Sequence, residues 1–197
     1  MSAPLIILAI TFAVQLIIPK TPARRGLFGM LVLVLPILAI FGFSVYQSWQ
    51  QYLTWKSNDL GKLFLPPYQN WDYFVFFART RFFNPYFLSL AAALVFLAAA
   101  KYFNKKYQER FFEPIEPYLL ATAFFVVGHP LWLFYLIIFL IAALAGNSYL
   151  TYKFYRTNKS DKSYRISFYY FWLPAAISTI LISKWLAALP WWQTLKF

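Results

Sequence analysis

The chain has no cysteine, one histidine and six carboxylates among its 197 residues. Without cysteine, disulfides, thiolate metal sites and cysteine nucleophiles are excluded. With His129 as the only histidine, a multi-histidine metal centre is excluded as well. Walker A, GxSxG and HExxH patterns do not occur, and six glycines leave little room for glycine-rich loops. These absences remove many enzyme classes, and we expect no cofactor.

Charge is also scarce, because 12% of residues are charged and 61% are hydrophobic. Residues 117–152 carry no charged side chain at all. A run of this length predicts helices in a bilayer, where every backbone polar group must be satisfied within its own segment. The sequence therefore predicts an all-α polytopic membrane protein, with residues 1–197 forming one integral membrane domain.

About six transmembrane helices are predicted. Four are bounded by charged or proline-containing segments and lie at about residues 3–18, 26–46, 84–100 and 166–183. Pro36 predicts a kink in the second, and Asn84-Pro85 a capped start of the third. Residues 117–152 supply two more helices, because Gly128-His129-Pro130 divides the run and basic clusters flank both of its ends. The first of that pair is short, so it must begin before Pro117 or lie where the membrane is thin or shielded by protein.

Basic residues set the predicted orientation. Twelve of the 18 lysines and arginines fall in three loops that the six-span count places on one side of the membrane. That side is predicted to be cytoplasmic, with both termini external and the protein in the plasma (inner) membrane. The net charge of +12 is then explained by these basic cytoplasmic loops and anionic lipid, and no nucleic-acid partner is expected.

An aromatic-rich external loop is predicted at about residues 47–83. Seven of the eight tryptophans, all except Trp172, fall at or beyond the predicted external ends. We expect this loop to lie on the membrane interface as an interfacial helix or re-entrant lid. Trp71, Phe76 and Phe77 are candidates for contact with a partner, and the alternative is packing on the ends of the helices.

The most unusual polar motif is Glu113-Pro-Ile-Glu116-Pro, where a cytoplasmic loop enters the short helix. One interpretation is a helix start, because proline is favoured in the first turn and acids complement the helix dipole there. The other is a pair of catalytic candidates, Glu116 and Glu113.

Residues 113–130 resemble the GxGDxKLL…GxP region of type IV prepilin peptidases, which are GxGD-type membrane aspartic proteases. Further resemblance comes from the small-residue patch Ala142, Ala143, Ala145 and Gly146, and from the helix opening at Ile166. Gln15 precedes a basic, proline-containing turn, as the first aspartate of the family does. The resemblance implies a peptidase-like helical framework in which Glu116 takes the place of the second aspartate and Gln15 the place of the first.

The sequence departs from that family where the chemistry is decided. Gln15 cannot ionise, and Glu113 and Ile115 replace glycines. Because the family uses two aspartates as acid and base, this pattern implies an inactive relative. We therefore expect a non-catalytic scaffold or assembly component with a membrane protein partner. Two alternatives stay open: an active aspartic-type endopeptidase, and a lipid- or small-molecule-binding subunit in which Arg110 contacts lipid.

Overall fold

A computed structural model describes residues 3–17, 25–108, 111–156, 168–190 and 192. In these ranges the regular structure is helical, without strands, as the sequence predicts. The helices are α1 (Ala3–Ile17), α2 (Arg25–Ser57), α3 (Asp59–Lys62), α4 (Trp71–Ala78), α5 (Asn84–Lys106), α6 (Glu116–Val127), α7 (Trp132–Arg156) and α8 (Trp172–Ala187). A π-helical turn, Arg79–Phe83, joins α4 to α5.

Three helical stretches are long and apolar enough to cross a membrane. They are Phe28–Ser57, Trp71–Lys106 and Trp132–Lys153. Their outer faces carry exposed apolar side chains such as Val95 and Ile141. Because soluble monomers rarely leave such surfaces in water, these helices are suited to contact with lipid.

Helix α6 lies at the centre of the bundle. It packs against α1, α2, α5, α7 and α8. Every residue from Glu116 to Val127 is buried except Tyr118. At about 1.5 Å per residue its 12 residues reach roughly 18 Å, short of a hydrocarbon core of about 30 Å. Of the alternatives for this short helix, shielding by protein is the one that the structure supports.

A hydroxyl in α6 donates a hydrogen bond to a carbonyl that a proline in α2 leaves without its helical partner. Pro36 lies inside α2 and has no N–H to donate to the carbonyl of Val32. The hydroxyl of Thr122 lies 3.1 Å from that carbonyl oxygen and 2.8 Å from the carbonyl of Tyr118. Thr122 is fully buried. The central helix therefore supplies a donor to a carbonyl that α2 itself leaves without its usual partner.

The predicted turn at Gly128-His129-Pro130 is confirmed. Helix α6 ends at Val127 and α7 begins at Trp132. Gly128 has a φ of 80°, a conformation that strains any residue with a Cβ. The turn reverses the chain directly after the short helix, so α7 packs back against it.

The predicted loop at residues 47–83 is largely helical. The second span was predicted to end at residue 46, but α2 continues to Ser57. The extension is stabilised by aromatic contacts such as Trp55 against Phe77, whose ring centroids are 4.8 Å apart. The predicted cap at Asn84 is also wrong: α5 begins there, but the chain arrives already helical from the π-helical turn, and no side chain caps it.

Two predicted boundaries shift in the same direction. Helix α5 runs to Lys106 rather than to residue 100. The last helix was predicted at residues 166–183, whereas α8 spans Trp172–Ala187, and residues 166–167 lie outside the described residues. A turn closed by the Phe171 N–H and the Phe168 carbonyl precedes α8.

The Thr122 hydroxyl can be tested by substitution. Thr122→Val keeps the shape of the side chain and leaves the Val32 carbonyl without this donor. We expect a loss of about 1 kcal/mol in the free energy of unfolding. The measurement is reversible unfolding of the purified protein in mixed micelles.

Thr179→Val is the matched control for that measurement. Thr179 is equally buried, but its hydroxyl donates within α8 to the carbonyl of Ala175. This variant should lose less stability. Equal losses for the two valine variants would contradict the role given to Thr122.

Candidate functional site

Several helix ends meet where α6 begins, and we call this region the Glu116 end. Here α1 and α5 end, and α6 and α8 begin. Buried Asn104 near the end of α5 fixes the segment before α6. Its Nδ2 donates to the Phe112 carbonyl at 2.9 Å, and its Oδ1 accepts from the Phe112 N–H at 3.0 Å. One side chain thus satisfies both backbone groups of a residue that lies outside regular structure.

Glu116 is built into the first turn of α6. It is 1% exposed, and its Oε2 accepts a hydrogen bond from the Glu113 N–H at 3.2 Å. The Glu116 N–H donates to the Glu113 carbonyl at 3.0 Å. This reciprocal arrangement resembles a capping box, and it puts a carboxylate where the helix dipole favours negative charge. Glu113 is half-buried and contributes its backbone to the contact.

Gln15 joins α1 to the start of α8. It is 1% exposed, and its Nε2 donates to the Tyr169 carbonyl at 2.6 Å. The Tyr169 hydroxyl in return donates to the Gln15 carbonyl at 3.1 Å. An ionised aspartate could not make the first of these bonds, because it has no proton to donate.

Tyr118 is the one half-exposed residue of α6, and it is held from two sides. Its hydroxyl lies 2.7 Å from the ammonium nitrogen of Lys101 on α5. A Cβ added to Gly29 on α2 would lie 2.6 Å from the Tyr118 ring. Glycine at position 29 therefore permits the close approach of α2 and α6.

The other described carboxylates lie far from Glu116. Asp59 and Asp72 are exposed and follow α2, at the opposite end of that 33-residue helix. Asp59 pairs with Lys62 at 2.8 Å, and the hydrogen bond and charge of Lys62 lower the pKa of the Asp59 carboxyl. Neither aspartate can join Glu116 in a carboxylate pair. Glu109 and Asp161 lie outside the described residues.

In the described part of the chain, no group of three or more histidine, aspartate or glutamate side chains is placed to hold a metal ion.

The aromatic candidates lie together on α4. Trp71 is 52% exposed and stacks on Tyr52 of α2, with ring centroids 5.6 Å apart. Phe76 is 68% exposed, whereas Phe77 is half-buried against Trp55. Arg110, the predicted lipid contact, lies outside the described residues.

Sequence reasoning missed a second feature beside α4. Two open cavities of about 460 and 330 Å³ adjoin the π-helical turn, and both are lined by Arg81, Pro85 and His129. In the sequence, Arg81 is noticeable only as an arginine within an aromatic stretch. The turn that brings His129 close to it lies far away in the chain. We call this region the Arg81 end.

No protein-family model, curated protein or solved structure matches this chain. The resemblance to prepilin peptidases therefore rests on the sequence pattern alone.

The two hydrogen bonds between Asn104 and Phe112 can be tested by substitution. Asn104→Leu removes a donor and an acceptor at similar side-chain size. At about 1 kcal/mol for each hydrogen bond, we expect the local free energy of opening to fall by roughly 2 kcal/mol. Amide hydrogen exchange over residues 111–116 should accelerate. The control is Asn147→Leu on an exposed position of α7, and equal exchange in both variants would contradict the contact.

Proposed function

We propose that this protein is a non-catalytic membrane scaffold or assembly component built on a prepilin-peptidase-like helical framework. The three long helices account for part of the membrane-embedded structure. The proposal adds that α1, α6 and α8 also cross, which gives six spans. It also places the protein in the plasma (inner) membrane, with the Arg81 end and both termini outside.

The observation that carries this proposal is that Gln15 and Glu116, at the positions of the family's two aspartates, both make structural hydrogen bonds. Gln15 donates to the Tyr169 carbonyl, a bond that an ionised acid would lose. The Glu116 carboxylate accepts from the Glu113 N–H in the first turn of α6. Gln15 thus joins α1 to the segment before α8, and Glu116 caps the first turn of α6; both are structural roles.

A docking role is supported by the exposed aromatic surface of α4. Trp71, Tyr73 and Phe76 are each more than 40% exposed. Tryptophan and tyrosine prefer the boundary between lipid and water, and large aromatic side chains anchor many interfaces. We therefore assign α4 as the surface for a membrane protein partner with an apolar face at the outer boundary.

Glu116→Gln and Trp71→Ala separate scaffold from enzyme. The glutamine can still accept from the Glu113 N–H, so Glu116→Gln should fold and retain the partner. Trp71→Ala should reduce partner recovery several-fold, because it removes a large exposed ring. The measurement is quantitative mass spectrometry of protein purified from native membranes, alongside cleavage of a prepilin-like peptide.

Trp185→Ala is the control, since Trp185 is 68% exposed but lies on α8. It should retain the partner. Equal loss in both tryptophan variants would contradict docking on α4. Cleavage by the wild type that is abolished by Glu116→Gln would establish the peptidase alternative instead.

The six-span topology can be tested separately, because the chain has no cysteine. Single cysteines at Asp59, Lys105 and Lys153 occupy exposed positions. A membrane-impermeant maleimide added outside intact cells should label Asp59→Cys and neither lysine variant. Lys105 precedes α6, and Lys153 lies near the end of α7. If both helices cross, the two cysteines lie on the same side of the membrane, so labelling of only one of them would contradict two crossings.

A further inference from the structure

The two cavities at the Arg81 end have complementary linings. The larger presents a mainly apolar surface, to which the aromatic side chains of Tyr73, Phe76 and Phe77 contribute. The smaller is lined by the polar side chains of Gln47, Arg81 and His129 together with Phe82, Pro85, Tyr86 and Gly128. At about 460 and 330 Å³, each has the volume of an ordinary ligand pocket.

Arg81 supplies the charge of this region. Arginine is always protonated in proteins, and its planar guanidinium matches phosphate geometry. Among the described residues, no carboxylate forms an ion pair with Arg81. A cation on the wall of an open cavity favours an anionic ligand group.

The position of the cavities limits the class of ligand. They lie beside an aromatic cluster on α2 and α4 that includes Trp49, Trp55 and Trp71. Such clusters are typical of the boundary between headgroups and hydrocarbon. At that depth a ligand meets the polar wall with one part and the aromatic wall with another, so it must itself be amphiphilic.

We propose that the Arg81 end binds one anionic phospholipid. Its phosphate lies against Arg81 in the polar cavity, and the upper part of an acyl chain lies along Tyr73, Phe76 and Phe77. Tyr73 and Phe76 belong also to the docking surface proposed on α4, whereas Trp71 lines neither cavity. Arg81→Gln and Trp71→Ala therefore test the lipid site and the docking surface separately. The proposal also differs from lipid contact at Arg110, which belongs to the predicted cytoplasmic side.

The site can be tested with phosphatidylglycerol and phosphatidylcholine as probes. Purified protein in mild detergent is titrated with each lipid, and one-lipid adducts are quantified by native mass spectrometry. Wild type should bind phosphatidylglycerol about tenfold or more tightly than phosphatidylcholine, because the second lipid carries no net charge for Arg81 to select.

Arg81→Gln should lose that preference, with at least a tenfold loss of phosphatidylglycerol affinity. The matched control is Arg79→Gln, since Arg79 lies in the same π-helical turn, is exposed and lines neither cavity. Arg79→Gln should bind like the wild type. Equal losses in the two variants would reduce the effect to general surface charge and overturn the site.

A second variant tests the aromatic wall. Phe76 is 68% exposed, so Phe76→Ser should fold normally while weakening the lipid several-fold and preserving the preference for phosphatidylglycerol. Unchanged affinity would overturn the acyl-chain placement. Inorganic phosphate at equal concentration should not compete. Competition as strong as that of the lipid would identify a soluble-anion site and overturn the proposal.

Discussion

The structure depends on one constraint: α6 by itself is too short to span the hydrocarbon core of a bilayer, and it is buried along nearly its whole length. A helix of about 18 Å cannot present both ends to water across a hydrocarbon core of about 30 Å. Surrounding it with α1, α2, α5, α7 and α8 removes the conflict, because the apolar outer surface is then presented by these helices and not by α6. The long helices carry faces suited to lipid, and α6 forms the interior against which they pack.

Enclosure of α6 explains where the polar residues lie. Thr122 serves the carbonyl that Pro36 leaves without a helical donor, and Asn104 holds the segment before α6. At the Glu116 end, Glu116 accepts a hydrogen bond within the first turn of α6, and Gln15 joins α1 to the segment before α8. The opposite end is different in character, since it exposes aromatic rings and Arg81. We therefore propose a structural role for one end and assign the surface for ligands and partners to the other.

Much of this fold was readable from sequence because charge and proline leave strong signals. The charge-free run, its flanking basic clusters and Gly128-His129-Pro130 predicted the short helix and its turn. The extension of α2 was missed because polar glutamines and serines near Trp49 resemble a loop, whereas aromatic packing on α4 keeps them helical. From sequence, Pro36 predicted only a kink, and it is the tertiary packing that places the Thr122 hydroxyl at the Val32 carbonyl. Likewise, Arg81 and His129 are 48 positions apart in the chain, and no local pattern brings them together.

The enclosure of α6 can be measured directly with wild-type protein in nanodiscs that contain lipids with a photoactivatable diazirine on the acyl chain. After irradiation, peptide mapping reports which helices contact hydrocarbon. Residues 84–106 and 132–153 should be labelled strongly and residues 116–127 should remain essentially unlabelled. Labelling of residues 116–127 as strong as that of α5 would contradict a protein-enclosed central helix, and with it the framework argued from Glu116, Gln15 and Thr122.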